Sequence, residues 1–208
     1  MEPNGIIDVP SPIDLRKTDD ARDWAATALL KRPWREEFFA KFVQEIERLA
    51  RSRPQVLELG SGPGFLAMRI LEALKTAEYT AFDFSPAMHE LARERLGELA
   101  RQVTFLEGNF KEPDWDAALP TYDAVITMQA VHELRHKRHA PTLYQAVHRL
   151  LRPSGVFLLC DHFVGEGGMN NTSLYMTPEE HEVALVAGEF SAISEIYRKG
   201  SLVLYRAQ

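Results

Sequence analysis

The chain has 208 residues, of which 45% are hydrophobic and 26% are charged, a composition typical of a globular domain. Its formal net charge of −6 argues against nucleic acid as a partner. The single cysteine, Cys160, fits a reducing compartment, and no apolar run is long enough to span a membrane. Because Met1–Gly5 lack the basic start of a signal peptide, we expect a cytoplasmic protein without a membrane partner.

An N-terminal helical cap is predicted ahead of the first strand. Residues 1–17 contain three prolines and few periodic apolar positions, which indicates an extended arm. Apolar spacing predicts one helix over Asp19–Lys31 and a longer amphipathic helix over Trp34–Leu49. We therefore predict an arm with cap helices over residues 1–52 and a single globular domain over residues 53–208.

The side chains of this cap have two possible roles. Trp24, Trp34 and Phe38 either pack on the edge of a sheet or also cover a substrate pocket. The basic residues nearby, such as Arg32, are expected in solvent. As an alternative, Arg35 contacts a ligand carboxylate.

The segment Gln55–Leu59 is largely apolar and leads into a glycine-rich turn, Gly60-x-Gly62-x-Gly64. Apolar residues at helical spacing follow, so the segment predicts a strand, a tight turn and a helix. Glycines permit positive φ angles and let a ligand approach the backbone at the N-terminus of a helix. The spacing differs from the G-x-G-x-x-G of dinucleotide-binding folds.

A second strand is predicted over Tyr79–Asp83, with Ser85 as the N-cap of the next helix and Pro86 as its first residue. In Rossmann-like sheets, an acid at the end of the second strand accepts hydrogen bonds from ribose hydroxyls. Asp83 occupies that place. The alternative is an aspartate that only begins a turn.

Strands and helices continue to alternate along the rest of the chain. We predict strands at 103–106, 122–127 and 156–160, helices at 140–151 and 177–187, a turn at 152–155, and final strands at 191–197 and 201–205. The glycine-rich loop Phe163–Met176 is a candidate lid. This alternation predicts an α/β fold with a mostly parallel sheet, helices on both faces and a C-terminal antiparallel hairpin.

The glycine turn, the segment Phe82–Met88 and the segment Met128–Leu134 resemble the motifs of class I S-adenosylmethionine-dependent methyltransferases. The resemblance implies a Rossmann-like, doubly wound seven-stranded sheet, S-adenosylmethionine as cofactor and a small-molecule methyl acceptor. The family commonly has an aspartate at the position of Asn109, which is a departure from the pattern. The implied cofactor-binding residues are Glu58, Gly60, Ser61, Gly62, Gly64, Asp83, Phe84, Met88, Asn109, Phe110, Met128 and Gln129.

A general base assists methyl transfer when the acceptor is a hydroxyl or a protonated amine. His132 is the first candidate, because an imidazole titrates near neutral pH. Asp161 and His162 are the next candidates. We expect no bound metal, although a metal-assisted reaction would use Asp161 with either histidine.

The segment His132–His136 matches H-E-x-x-H, which binds zinc when both histidines lie on one helix face. The strand predicted just before it places the motif at a strand end or in a loop, which disfavours that geometry. The alternatives are a zinc metallohydrolase, a nicotinamide-dependent oxidoreductase on the same sheet, and a cofactor-binding protein without catalysis. The basic residues at positions 135–139 are either solvated or attract an anionic substrate.

Overall fold

The seven strands found in residues 6–208, the part of the chain that the computed structural model describes, form one sheet. The predictions for Met1–Gly5, namely the start of the arm and the lack of a signal peptide, fall outside the described residues. The strands are β1 (Gln55–Leu59), β2 (Glu78–Asp83), β3 (Val103–Glu107), β4 (Tyr122–Met128), β5 (Leu151–His162), β6 (Ile193–Lys199) and β7 (Leu202–Ala207).

The strand order across the sheet is β3-β2-β1-β4-β5-β7-β6. Strands β1 to β5 pair in parallel, whereas β7 lies antiparallel between β5 and β6. The chain order reverses direction between β1 and β4, and ligands of open α/β sheets bind beyond the carboxyl ends of the strands at such a point. The predicted Rossmann-like fold with its terminal hairpin is confirmed.

Six α-helices accompany the sheet within the described part of the chain. They are α1 (Thr18–Lys31), α2 (Arg35–Glu47), α3 (Phe65–Ala73), α4 (Pro86–Leu96), α5 (Ala140–Leu150) and α6 (Pro178–Ala187). Ser85 caps α4 by accepting the N–H of Met88 at 3.1 Å. Thr177 and Glu180 form the capping box of α6. Over residues 6–208, none of the helices has the length and hydropathy needed to cross a bilayer.

Apolar side chains fill both faces of the sheet. One cluster joins the sheet to α5 and α6, and the other joins it to α2 and α3. Helix α2 contributes Phe38, Phe39, Phe42 and Ile46 to the second cluster, and all four are buried. The cap helix α2 thus shares a core with the sheet, while the domain division at residue 52 remains a prediction.

Strand β5 begins earlier than the sequence predicts. Leu151 already pairs with Tyr122, and pairing resumes between Val156 and Ala124 after a shift in register. Ser154, within the skipped stretch, has a positive φ of 64°. The predicted turn is therefore an irregularity inside the strand, similar to a long bulge, that leaves the strands on either side of it paired.

The burial of Phe42 provides a test of the shared core. Its side chain is fully buried, so Phe42→Ala is expected to destabilise the protein by about 3–5 kcal/mol through lost packing and a residual cavity. Urea unfolding followed by circular dichroism measures the loss. The matched control is Glu47→Ala on the exposed side of α2, expected within about 0.5 kcal/mol of the parent. Equal stability of the two variants would separate α2 from the core.

Candidate cofactor and acceptor site

A cavity of about 210 Å³ lies at the carboxyl ends of β1 and β4, and a smaller cavity adjoins it at the start of α3. Both share the glycine turn as a wall. This is the position at which the topology predicts a ligand. The predicted cofactor residues that line the main cavity are Gly60, Gly62, Asp83, Phe84, Met88, Phe110, Met128 and Gln129.

The backbone of the glycine turn lies directly against the end of β2 and the segment that follows β4. The N–H groups of Gly60 and Ser61 donate to the carbonyl of Phe82 at 2.8 and 3.1 Å. Gly60 has a φ of 67°, and a Cβ there would lie only 2.3 Å from the Cβ of Ala130. Gly64, at the N-cap of α3, also has a positive φ, of 77°. Glycine is therefore required at position 60 for both conformation and space.

Asp83 ties the end of β2 to the glycine turn. Its Oδ2 accepts the N–H of Gly62 at 2.8 Å and its Oδ1 accepts the N–H of Ser85 at 2.9 Å. Burial raises the pKa of Asp83 to about 6, although these backbone hydrogen bonds favour the ionised form. Each carboxylate oxygen has a further lone pair that can accept from a sugar hydroxyl.

Glu58 lies under the smaller cavity, which Ser61 also lines. It is buried and accepts a hydrogen bond from the hydroxyl of Tyr79 at 2.6 Å. Burial raises the pKa of Glu58 to about 8, so the group is mostly protonated at neutral pH. A cationic group entering this cavity would favour its ionisation.

The predicted adenine contacts are only partly brought together. Phe84 and Phe110 line the main cavity, but Asn109 lies in a neighbouring groove that both phenylalanines border. The amide of Asn109 is used locally, because Oδ1 accepts the N–H of Lys111 at 3.0 Å and Nδ2 donates to Glu112 at 3.2 Å. The proposed contact of Asn109 with adenine therefore requires its side chain to exchange these partners.

Gln129, just beyond β4, is held in an uncommon conformation. Its φ is 58°, and its backbone N–H donates to the carbonyl of Cys160 at 2.7 Å. The side-chain Nε2 lies 2.7 Å from Nε2 of His162. Its Oε1 is buried without a partner among residues 6–208. Gln129 therefore offers a side-chain oxygen that can accept a hydrogen bond beside the cavity.

His132 lines the same cavity as Asp83 and forms an ion pair with Asp161, which is buried behind it. Nδ1 of His132 lies 2.7 Å from Oδ1 of Asp161, and Oδ2 accepts the backbone N–H of His132 at 2.8 Å. Burial opposes both charges, but the attraction between them raises the pKa of His132 and lowers that of Asp161 to about 2. The proton assigned to Nδ1 leaves Nε2 of His132 as the proton-accepting atom.

His162 does not have a free nitrogen of this kind. Its Nδ1 lies 2.8 Å from the hydroxyl of Ser201, and its Nε2 faces the amide of Gln129. Burial lowers the pKa of His162 to about 4, so the ring is neutral. This geometry supports a role in positioning Gln129 rather than in accepting a proton.

Tyr175 is a cavity residue that the sequence reasoning missed. It lies in the loop predicted as a lid, and its ring packs 5.5 Å from that of His132 and 5.6 Å from that of His162. The loop is held near the site because the N–H of Val164 donates to the carbonyl of Met176 at 2.9 Å. A tyrosine within a glycine-rich stretch after a strand end was the available signal.

The H-E-x-x-H sequence does not form a helical metal motif. Val131–Leu134 is a short 3-10 helix, Arg135 has a φ of 67°, and His136 is extended. His132 and His136 therefore do not share a helix face. Over the described residues, no group of three or more histidine, cysteine or acidic side chains is placed to hold a metal ion.

The cap contributes to the cavity differently from the two predicted roles. Trp24 lines it, whereas Phe38 is buried in the core and Trp34 packs against Gly200. The prediction that the basic residues are solvated is wrong for Arg35, whose exposed fraction is only 4%. Its guanidinium lies 5.3 Å from the ring of Trp24 and lines both cavities.

Comparison with known proteins identifies the domain that carries this site. A family model described as a methyltransferase domain matches residues 56–155. The match identifies residues 56–155 as a methyltransferase domain. The match includes the glycine turn and His132 but ends before Asp161, His162 and Tyr175.

Three similar proteins illustrate the relationship. The chain is 38% identical over 95 residues to the release factor glutamine methyltransferase of Deinococcus radiodurans, covering 46% of this chain and 32% of that protein. It is 30% identical over 161 residues to a malonyl-(acyl-carrier protein) O-methyltransferase of Chlorobium phaeovibrioides, covering 72% and 56%. The chain therefore spans about a third and about half of these relatives. The structure of the DhpI–SAH complex shares the fold, with a TM-score of 0.68 and 21% identity over 93% of this chain and 95% of that one.

Gly60→Ala tests the glycine turn. The added methyl group would collide with Ala130 and the positive φ would be strained, so we expect at least a tenfold loss of S-adenosylhomocysteine affinity by calorimetry. Gly97→Ala is the matched control, because Gly97 also has a positive φ, of 52°, but a Cβ there would meet nothing within 4 Å. Equal loss of affinity in both variants would show that backbone strain alone, and not the contact with Ala130, is responsible.

Proposed function

We propose that this chain transfers the methyl group of S-adenosylmethionine to a small-molecule acceptor, with His132 as general base. The observation that carries the proposal is that the glycine turn at Gly60 and His132, whose ring Asp161 holds, line the same cavity. Bound S-adenosylmethionine supplies an electrophilic methyl group on a sulfonium. The chain then has to bind, align and deprotonate the acceptor and to exclude water.

The residues present fit this cofactor. The glycine turn lets a ligand approach the backbone at Gly60, where a Cβ would occupy the space. Asp83 can accept hydrogen bonds from two ribose hydroxyls. Glu58 and Arg35 border the smaller cavity, where they suit the ammonium and carboxylate of an amino acid. The rest of the turn consists of Ser61, Gly62 and Gly64. Apolar surface for the adenine comes from Phe84, Met88 and Phe110. The remaining residues proposed to bind the cofactor are Asn109 and Met128.

His132 is the residue proposed to move a proton. When the acceptor takes the methyl group that the bound cofactor would supply, its proton would pass to Nε2 of His132. Asp161 keeps the ring oriented through Nδ1 and stabilises the imidazolium that forms. His162 orients Gln129, whose free Oε1 can accept a hydrogen bond from the acceptor.

Calorimetry tests the cofactor assignment. We expect S-adenosylmethionine and S-adenosylhomocysteine to bind and NAD to leave no signal, because the turn has the wrong glycine spacing for a dinucleotide. Binding of NAD alone would favour the oxidoreductase. Cofactor binding without labelled-methyl transfer to any member of a broad panel of phenols, amines and carboxylic acids would favour a binding protein.

The same titrations reveal the role of Glu58. Its pKa in the free protein is about 8, so binding a cationic ammonium requires loss of a proton. Affinity should therefore rise with pH, by up to about tenfold per unit between pH 6 and 8, and then level off. Glu58→Gln should show weaker binding with little pH dependence over that range. A parent affinity independent of pH would exclude contact between Glu58 and the ammonium.

His132 has a distinct kinetic signature. With cofactor saturating, the rate should rise with pH through a pKa above the ordinary histidine value near 6.5, because Asp161 stabilises the imidazolium. Asp161→Asn removes that charge, so the rise should move to lower pH while the maximal rate falls by about 10²-fold or more. His132→Ala should lower the rate and retain cofactor affinity. An unchanged rate in His132→Ala would remove the base from the mechanism.

A further inference from the structure

Two arginines flank the connection between α1 and α2. Arg32 is the C-cap of α1 and Arg35 begins α2, and the N–H of Arg35 donates to the carbonyl of Arg32 at 3.1 Å. Both side chains line the main cavity. Neither guanidinium makes an ion pair or a hydrogen bond with any residue in the described range 6–208, and Arg35 is almost completely buried.

Other basic residues near the site are already paired. Arg135 donates to the carbonyls of Val9 and Pro10 and contacts Glu133, and Lys137 pairs with Glu180 at 2.6 Å. The predicted attraction of anions by this basic stretch is therefore reduced by internal partners. Free positive charge at the cavity comes from the cap instead.

The acidic groups facing the cavity do not neutralise the two arginines. Both oxygens of Asp83 accept backbone N–H groups, and Glu133 contacts Arg135 and lies 3.5 Å from Nε2 of His132. Buried charges in proteins are normally paired. Arg35 is buried and Arg32 is half-buried, so two guanidinium groups without an acidic partner among residues 6–208 indicate that the ligands of this cavity bring negative charge.

Only one of the two arginines reaches the smaller cavity. Arg35 also borders the smaller cavity beside Glu58 and the glycine turn, where the cofactor's amino-acid portion is proposed to bind. Arg32 does not line that cavity, but it lines the main cavity together with His162 and Tyr175. The cofactor has one carboxylate, which Arg35 can bind, so Arg32 remains for the other ligand.

We propose that the methyl acceptor is a small organic carboxylate and that Arg32 binds its carboxylate group. This inference rests on the proposed function, since it deepens the assignment of the same cavity. The cavity of about 210 Å³ also borders the proposed ribose site, so the acceptor is small. Trp24 and Tyr175 offer aromatic walls to a ring beside the carboxylate. A guanidinium binds a carboxylate through two parallel hydrogen bonds, which fixes the acceptor relative to His132.

Benzoate and benzamide form a matched pair of probes, because they share a ring and shape but differ in charge. Calorimetry is run with each probe on the free protein and on protein saturated with S-adenosylhomocysteine. We expect benzoate to bind in both states and benzamide to bind at least tenfold more weakly. Equal affinity for the two probes would overturn the proposal, as would displacement of benzoate by S-adenosylhomocysteine, which would place the anion in the cofactor's own site.

Substitutions test whether Arg32 is the residue that binds the carboxylate of benzoate. Arg32→Gln should lower benzoate affinity at least tenfold and leave S-adenosylhomocysteine affinity within about twofold, while Arg32→Lys should lose less because its charge remains. Lys31→Gln, a change of the same charge at the neighbouring exposed position, should bind benzoate like the parent. Unchanged benzoate affinity in Arg32→Gln overturns the assignment. Failure of S-adenosylhomocysteine to bind the parent would instead refute the proposed function, and benzoate binding to the free protein still tests Arg32.

Discussion

The contact between Gly60 and Ala130 is the constraint on which the site depends. The turn after β1 and the segment after β4 approach so closely that a single added methyl group on Gly60 would overlap the side chain of Ala130. Ala130 lies between Gln129 and His132, so the contact fixes the distance from the cofactor cradle to the proposed base. In a reaction that depends on alignment, this distance matters more than the strength of any one hydrogen bond.

Two buried carboxyl groups at this site differ in charge: Glu58 is mostly protonated and Asp161 is ionised, and their surroundings explain the difference. Glu58 has a hydroxyl as its partner, and burial keeps it largely neutral until a cation arrives. Asp161 is as buried but faces His132 and accepts backbone N–H groups from His132 and His162, so it stays ionised. A permanent negative charge suits a group that must orient an imidazole. A neutral carboxyl group suits Glu58, which is proposed to ionise only when a cationic ligand binds beside it.

Local signals in the sequence predict much of this fold and about half of the site. The glycine turn, the acid ending β2 and the capping box at Thr177 each depend on residues close together in the chain, so the sequence reveals them. The start of β5 was predicted too late because Pro153 and Gly155 are typical of a turn, and only pairing with β4 shows that the strand continues around them. The burial of Arg35 was also missed, because a basic residue in an amphipathic helix is usually solvated and only the packing of α2 on the sheet covers it.

The family match covers only part of the site. The matched segment, residues 56–155, holds the cradle, Asp83 and His132, which are the groups proposed for cofactor binding and proton transfer. The carboxylate that holds His132 and the residues proposed to surround the acceptor lie outside it, on β5, on the loop after β5 and on the cap helices. Asp161 connects β5 to the matched segment, because its carboxylate holds the ring of His132, which lies inside the match. The match therefore holds most of the groups proposed for cofactor binding and proton transfer, whereas Arg32, which is proposed to bind the acceptor, lies on the cap outside it.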